Sequence, residues 1–269
     1  MSKQSDLISV SQGAAGDPLF IDTVNDRVGV GTSSPSAKLQ VNFTTQQTDV
    51  DSATQALSIV NTAADTAGNL AGIRFRTENG TNNAQAFIGF ASSGSVGTRG
   101  SMVFASANTS GNAVERMRID SAGRVTMPFQ PAFGARLTAN FGTGLTGGPI
   151  AIATGNGATI TVDTNVGSHY NPASGAFTAP VAGRYYAFMQ NLTYSGTGYI
   201  QAGISVNGVM YVFGYNDNTA NVLYDEAFVG FVAALSAGDT VRFDIINKNT
   251  TDSFLHSGNY NSFGCYLIG

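Results

Sequence analysis

His169 in GSHYNP and His256 in FLHSGN are the two histidines of the chain, and Ser and Asp occur near both. A Ser-His-Asp arrangement would let an imidazole take the proton of an attacking hydroxyl. No nucleophile elbow of the G-x-S-x-G kind accompanies either histidine, so an enzyme is not expected. Asp217, Asp225, Glu226, Asp239 and Asp252 carry the oxygen atoms that Ca²⁺ prefers. They lack the spacing of an EF-hand loop, and Asp239 in AGDTV has the setting of a turn residue. No metal or cofactor is therefore expected. Carboxylate pairs at glycosidase separation are not legible in a sequence, and nothing else supports a depolymerase. The single cysteine, Cys265, cannot form an internal disulfide, and in the apolar run SFGCYLIG it has the character of a small buried hydrophobe.

Binding is better motivated than catalysis. TYSGTGYIQ and YVFGYNDNTANVLY interleave Tyr with Asn, Asp and Gly in segments expected to be loops. Such mixtures offer flat apolar ring faces beside directed hydrogen-bonding groups, suited to sugar rings or protein side chains. Tyr194, Tyr199, Tyr215, Asn216, Asp217 and Asn218 are the receptor-binding candidates. The same tyrosines have an alternative use, closing a subunit interface or a sandwich.

The elements that must carry these residues are strands. Only 11% of residues are charged and 33 are Gly, while Val, Ile, Phe and Tyr fall in short alternating runs. That composition predicts an all-β protein. The formal net charge of -4 and the scatter of Lys and Arg exclude a phosphate-tracking surface. Arg116, Arg118 and Arg124, the densest cationic cluster, fit a solvated strand and its turn, so no nucleic-acid partner is expected. MSKQSDLISVSQGAAGDP has no apolar stretch long enough for a signal peptide or membrane span. Synthesis in a cytoplasm without membrane insertion is the expectation.

Four regions follow. Residues 1–18 form a polar arm. Residues 19–43 alternate on both sides of VND, which predicts a hairpin; Ser34 before Pro35 then signals a short helical turn, and KLQV resumes strand character. Residues 44–127 contain the short apolar runs ALSIV, AGIRFRT, AQAFIGFAS, GSMVFAS and ERMRID, predicting strands of about four to seven residues. Burying a large apolar side chain yields about 1.5–3 kcal/mol, whereas fixing one backbone residue costs about 1–2 kcal/mol. A segment so rich in Ala, Ser and Gly is expected to draw its missing apolar area from neighbouring copies of the chain. PFQP ends the ladder, and residues 128–269 have enough aromatic and aliphatic bulk for a sandwich.

One pattern occurs twice. FIDTVNDRVGV, from Phe20, and RIDSAGRVTM, from Arg118, both read Ile-Asp, a turn, then Arg-Val. Each is expected to be a hairpin whose Asp accepts backbone N–H groups. Ile21, Val28, Ile119 and Val125 are the apolar residues that flank the two turns.

The last region resembles the C1q-like jelly-roll head of the complement and tumour-necrosis-factor type. PAFGARL (131–137), YNPASGAFTAPVAGRYYAF (170–188), SVNGV (205–209), LSAGDTVRF (235–243) and the terminal YNSFGCYLIG carry the likeness in order. It departs at Ala179, where family members commonly have Cys, and it lacks a collagen-like stalk. Upstream, VGVGTSSPSAKLQV (28–41) and ERMRIDSAGRV (115–125) resemble bacteriophage tail-fibre shafts. There TMPFQP interrupts the pattern after Val125, and no self-cleaving chaperone sequence follows. Together the two resemblances imply a homotrimeric fibre located on the virion, in which 44–127 is a trimeric β shaft, 128–269 a C1q-like jelly-roll head, and Ile21, Val28, Ile119 and Val125 point to a shared three-fold axis as the trimer core. Its arm would bind other virion proteins, and its head a host-surface glycan or protein. A head-decoration fibre or baseplate connector is the alternative.

Overall fold

The computed structural model describes residues 19–42, 59–61, 67–77, 84–94, 100–194, 198–217, 224–249, 254–257 and 260–269, apart from the side chains of 216 and 217. The arm 1–18, Asn218, Asp252 and residues 56–58 of ALSIV lie outside them. Contacts divide the chain into two compact units, residues 1–73 with 89–100 and residues 74–88 with 101–269.

β1 (Leu19–Asp22), β2 (Arg27–Val30) and β3 (Leu39–Val41) form a three-stranded sheet. The β1–β2 hairpin is antiparallel with Ile21 opposite Val28, and β3 returns parallel to β2. Asp22 Oδ1 accepts the N–H groups of Val24 and Asn25, both at 3.1 Å. The helical turn expected after Ser34 is absent, and the segment instead bends. Arg27 Nη1 donates to the Pro35 carbonyl at 2.8 Å, and Ser36 N–H donates to Gln40 Oε1 at 2.6 Å. These side chains satisfy the groups that a helical turn would have paired.

β4 (Ala67–Thr77), β5 (Ala84–Ser93), β6 (Gly100–Ala107), β7 (Ala113–Ile119) and β8 (Val125–Thr126) follow one another in a five-stranded sheet. At 11 and 10 residues, β4 and β5 exceed the expected length, whereas Ile59 and Val60 of ALSIV are not in a strand. Ala, Ser and Gly continue a ladder without crowding, so apolar runs alone undercount strand length. Among the described residues of 44–127, the buried apolar ones are Ala91 and Val103, while Leu70, Ile73, Phe75, Phe90 and Met102 are exposed. The second Ile-Asp-turn-Arg-Val hairpin joins β7 to β8 with Ile119 opposite Val125. Asp120 Oδ1 accepts the N–H groups of Ala122 at 2.9 Å and Arg124 at 3.0 Å, and Oδ2 accepts Arg124 Nε.

The remaining strands are β9 (Ala132–Leu137), β10 (Ile150–Ala151), β11 (Ile160–Val166), β12 (Tyr170–Asn171), β13 (Ala176–Thr178), β14 (Gly183–Tyr194), β15 (Tyr199–Val206), β16 (Val209–Asp217), β17 (Tyr224–Leu235), β18 (Thr240–Lys248), β19 (Phe254–Leu255) and β20 (Ser262–Leu267). They form a sandwich of two sheets. One runs β11-β9-β20-β14-β17, with β19 beside β14, and the other runs β12-β13-β18-β15-β16, with β10 beside β18. Period-two alternation makes this possible: along β14, Tyr185, Ala187 and Met189 are buried, while Tyr186, Phe188 and Gln190 alternate with them on the opposite face. The β15–β16 reversal uses Asn207 and Gly208, both at positive φ (51° and 78°), as a tight hairpin turn demands.

At the core Phe133 stacks on Tyr170 with centroids 4.2 Å apart and meets Phe243 edge-on at 5.7 Å. The Tyr170 hydroxyl is buried without a partner, and desolvation pushes its pKa well above the ordinary phenol value. An orphaned buried hydroxyl costs about 1–3 kcal/mol. Tyr170→Phe should therefore raise stability by about 1 kcal/mol in denaturant unfolding. A loss instead would mean that the hydroxyl is satisfied.

Turn carboxylates give the fold an acid sensitivity. The Asn207 side-chain amide holds the Asp239 carboxyl below its usual range, helped by the Ser236 N–H. The Arg124 backbone N–H, then its guanidinium, does the same for Asp120. A depressed folded pKa means that these contributions are complete above about pH 4 and disappear as pH falls below it. Hydrogen exchange at Ser236 and Arg124, corrected for intrinsic rate, should accelerate between about pH 5 and pH 2. Asp239→Asn should remove that pH dependence at Ser236.

Candidate functional site

The outward side of the sheet containing β14 is aromatic along its length. Tyr186 lies opposite Tyr266 on β20 and Val232 on β17; Phe188 lies opposite Gly264 and Gly230. The two glycines matter because the rings occupy the space above them. A Cβ on Gly264 would come within 2.9 Å of the Phe188 ring, and one on Gly230 within 2.8 Å of the Tyr186 hydroxyl. Tyr186 and Phe188 stack at 6.0 Å, and Tyr186 meets Tyr266 edge-on at 5.6 Å. Phe228 (62% exposed) and Val232 (56%) extend this face along β17. Such rings on a sheet whose other side already forms the sandwich core make an apolar surface that no other element covers among the described residues.

Toward the end of β14 the face continues as a row across three strands: Phe254, Tyr194 and Tyr224 lie directly opposite one another. Tyr194 stacks on Phe254 at 4.9 Å and meets Tyr224 edge-on at 5.4 Å. His256 joins the row, 5.5 Å from Tyr224 and 5.4 Å from Tyr260. Its Nδ1 lies 2.9 Å from the Ser257 carbonyl oxygen. The other histidine, His169, meets Phe177 edge-on at 6.4 Å.

Tyr199 and Tyr215 occupy the other sheet. Ile200, Ala202 and Ile204 of β15 point into the core, so Tyr199 and Gln201 face outward. Gln201 pairs with Tyr215 on one side and Asn247 on the other, which makes an outward row of Asn247, Gln201 and Tyr215. Tyr199 stacks on Tyr215 at 5.6 Å, and its hydroxyl accepts Asn247 Nδ2 at 3.1 Å. Asn249 Oδ1 accepts the Tyr199 N–H at 2.8 Å.

The binding candidates are therefore divided between two sheets, with Tyr194 on one and Tyr199 and Tyr215 on the other. Tyr194, Tyr199, Tyr215, Asn216 and Asp217 stand on strands, a correction to the expected loops, and Asn218 lies outside the described residues. Backbone alternation continues through Tyr211–Asp217 and from Tyr224 onward, and Asn and Asp near a strand end do not break it. Asn216 and Asp217 close β16. Reasoning by residue type overlooked Tyr186, Phe188 and Tyr266; their alternation with Tyr185, Ala187 and Cys265 was the available signal.

Asp239 accepts two turn hydrogen bonds, as a turn residue does, and Glu226 Oε1 accepts Gln190 Nε2 at 2.6 Å. Among the described residues no three His, Cys, Asp or Glu side chains gather as a metal site would require. Burial pushes the Cys265 thiol up to about 12, so it is not a nucleophile at neutral pH.

Residues 152–268 match the C1q domain family. Solved structures similar to the chain include the globular domain of zebrafish complement 1qA protein, at 16% identity, 52% coverage of this chain, 98% of that one and a TM-score of 0.37. Murine APRIL is also similar, at 12% identity, coverages of 52% and 99% and a TM-score of 0.40. No curated protein matches the chain. The matched residues lie in the two-sheeted all-β sandwich.

Proposed function

We propose that the chain is a homotrimeric virion fibre of a bacterial virus whose C1q-like head recognises and adheres to the host surface. The observation that carries this reading is the aromatic face of Tyr186, Phe188, Tyr266, Phe228 and Val232, which has no counterpart among the described residues. The C1q domain match supports an oligomeric binding role. So does the shortage of buried apolar residues among the described residues of 44–127, because a sheet that buries so little cannot offset its ordering entropy alone.

A broad sheet face and the open edge at β16 are different surfaces, so contacts between copies would be heterologous and close as a ring. Three heads then present every binding patch three times, and weak sites gain avidity. Residues 1–18 would dock to other virion proteins, 19–43 and 44–127 would form the slender part, and 128–269 the head. Ile21, Val28, Ile119 and Val125, paired within their hairpins, would supply its axial contacts. Light scattering on the purified chain tests the assembly: a trimer mass is expected, and a folded monomer at micromolar concentration would overturn it. Binding to host cells, lost in competition with purified envelope, tests the adhesive role.

A further inference from the structure

We propose that the outward patch of Tyr199, Gln201, Tyr215 and Asn247 is a binding subsite for an uncharged saccharide. The proposal rests on the reading of the head as a recognition module and specifies where and what it recognises.

The patch differs chemically from the β14 face. That face offers rings with few polar groups between them, which suits another protein surface. Here two stacked tyrosine rings stand beside a row of side-chain amides, with Gln201 paired to Tyr215 and Asn247. A pyranose has the same duality, a flat side of C–H groups and a rim of hydroxyls that both donate and accept. Tyr215, half exposed on the edge strand β16, offers the ring for the flat side. Amides serve the rim because each carries a donor and an acceptor.

The support beneath the patch is fixed. The Tyr199 hydroxyl is held by Asn247, and its backbone N–H by Asn249, so neither the ring nor the amide must be ordered on binding. Next along the strand, Gly203 lies opposite Phe213, where an added Cβ would come within 2.6 Å of the Phe213 Cα. Gly203 is buried, and the absence of a side chain there lets Phe213 pack closely against β15 beside Gln201.

Charge selects among sugars. Tyr199, Gln201, Phe213, Tyr215, Asn247 and Asn249 are all neutral. Of the two cations of β18, Lys248 is buried and donates to the Gly142 carbonyl at 2.5 Å, and Arg242 donates to the buried Asp244 at 2.8 Å, so both are committed within the chain. Asp217, the register partner of Tyr199, adds an acidic residue rather than a cation. An anionic polymer would lose hydration there without gaining a counter-charge. The patch also lies on the opposite sheet from Tyr186 and Phe188, so it stays available when that face is covered.

The test uses the full chain on immobilised dextran, mannan and galactan, with polygalacturonate as the anionic comparison. Retention on at least one neutral polymer is expected. Tyr215→Ala and Gln201→Ala should each weaken it by about tenfold or more, while Val181→Ala, at an exposed position away from both faces, leaves it unchanged. The proposal is overturned by retention on none of the neutral polymers, by preference for polygalacturonate, by insensitivity to Tyr215→Ala, or by equal loss in Val181→Ala. Light scattering on the same samples separates the two readings. A trimer that binds no neutral polymer removes the subsite and keeps the assembly. A monomer that binds through Tyr215 keeps the subsite and removes the trimer.

Discussion

Phe243→Ala should cost the head about 3–5 kcal/mol, most of the stability of an ordinary domain. Phe243 is fully buried between the sheets, 4.9 Å from Phe263 and 5.7 Å from Phe133. Its ring bridges the β18 sheet to the sheet of β9 and β20, so truncation leaves a void that both sheets border. Backbone hydrogen bonds hold those strands in place and limit collapse around the void. Urea unfolding followed by far-UV circular dichroism should show a lower midpoint with an unchanged slope. A change below about 1 kcal/mol would mean that the sheets pack independently of this ring.

If the proposed assembly forms through the β14 face, Phe188→Asp should convert it to monomers. Phe188 lies over Gly264 on the aromatic face, on the opposite side of β14 from the core residues Ala187 and Met189. A carboxylate there remains hydrated in a separate chain, so the fold itself should lose little. In a contact between copies the same charge would be buried without a partner, which costs several kcal/mol at each interface. Light scattering should report the mass of one chain, with thermal unfolding of the head still cooperative. An unchanged assembly mass would place the contact elsewhere, and Val232→Asp would then show whether the β17 end of the face is used instead.

Much of this protein can be read from residue order because a strand has a period of two. The run GRYYAFMQNLTY already separates Tyr185, Ala187 and Met189 from Tyr186, Phe188 and Gln190, and the structure puts these sets on opposite faces. Asp22 and Asp120 declare their turns locally, since an Asp side chain reaches backbone N–H groups only a few residues ahead. The repeated hairpin was legible for the same reason, and so was the shortage of apolar bulk in 44–127. The helical turn after Ser34 misled because a local start signal lost to contacts from Arg27 and Gln40, which lie outside the short window that suggested it.

Tertiary structure decided which residues meet. Tyr194 and Tyr199 are near neighbours in sequence yet stand on different sheets, because the chain crosses the sandwich between β14 and β15. Asn247 joins Gln201 and Tyr215 only through the long-range pairing of β18 with β15. Composition and alternation fixed the strand class and the two faces of each strand, since both depend on neighbouring residues alone. Which faces became core, interface or binding patch depended on strand order, and that is set by the burial of rings from opposite ends of the domain, such as Phe133 and Phe263.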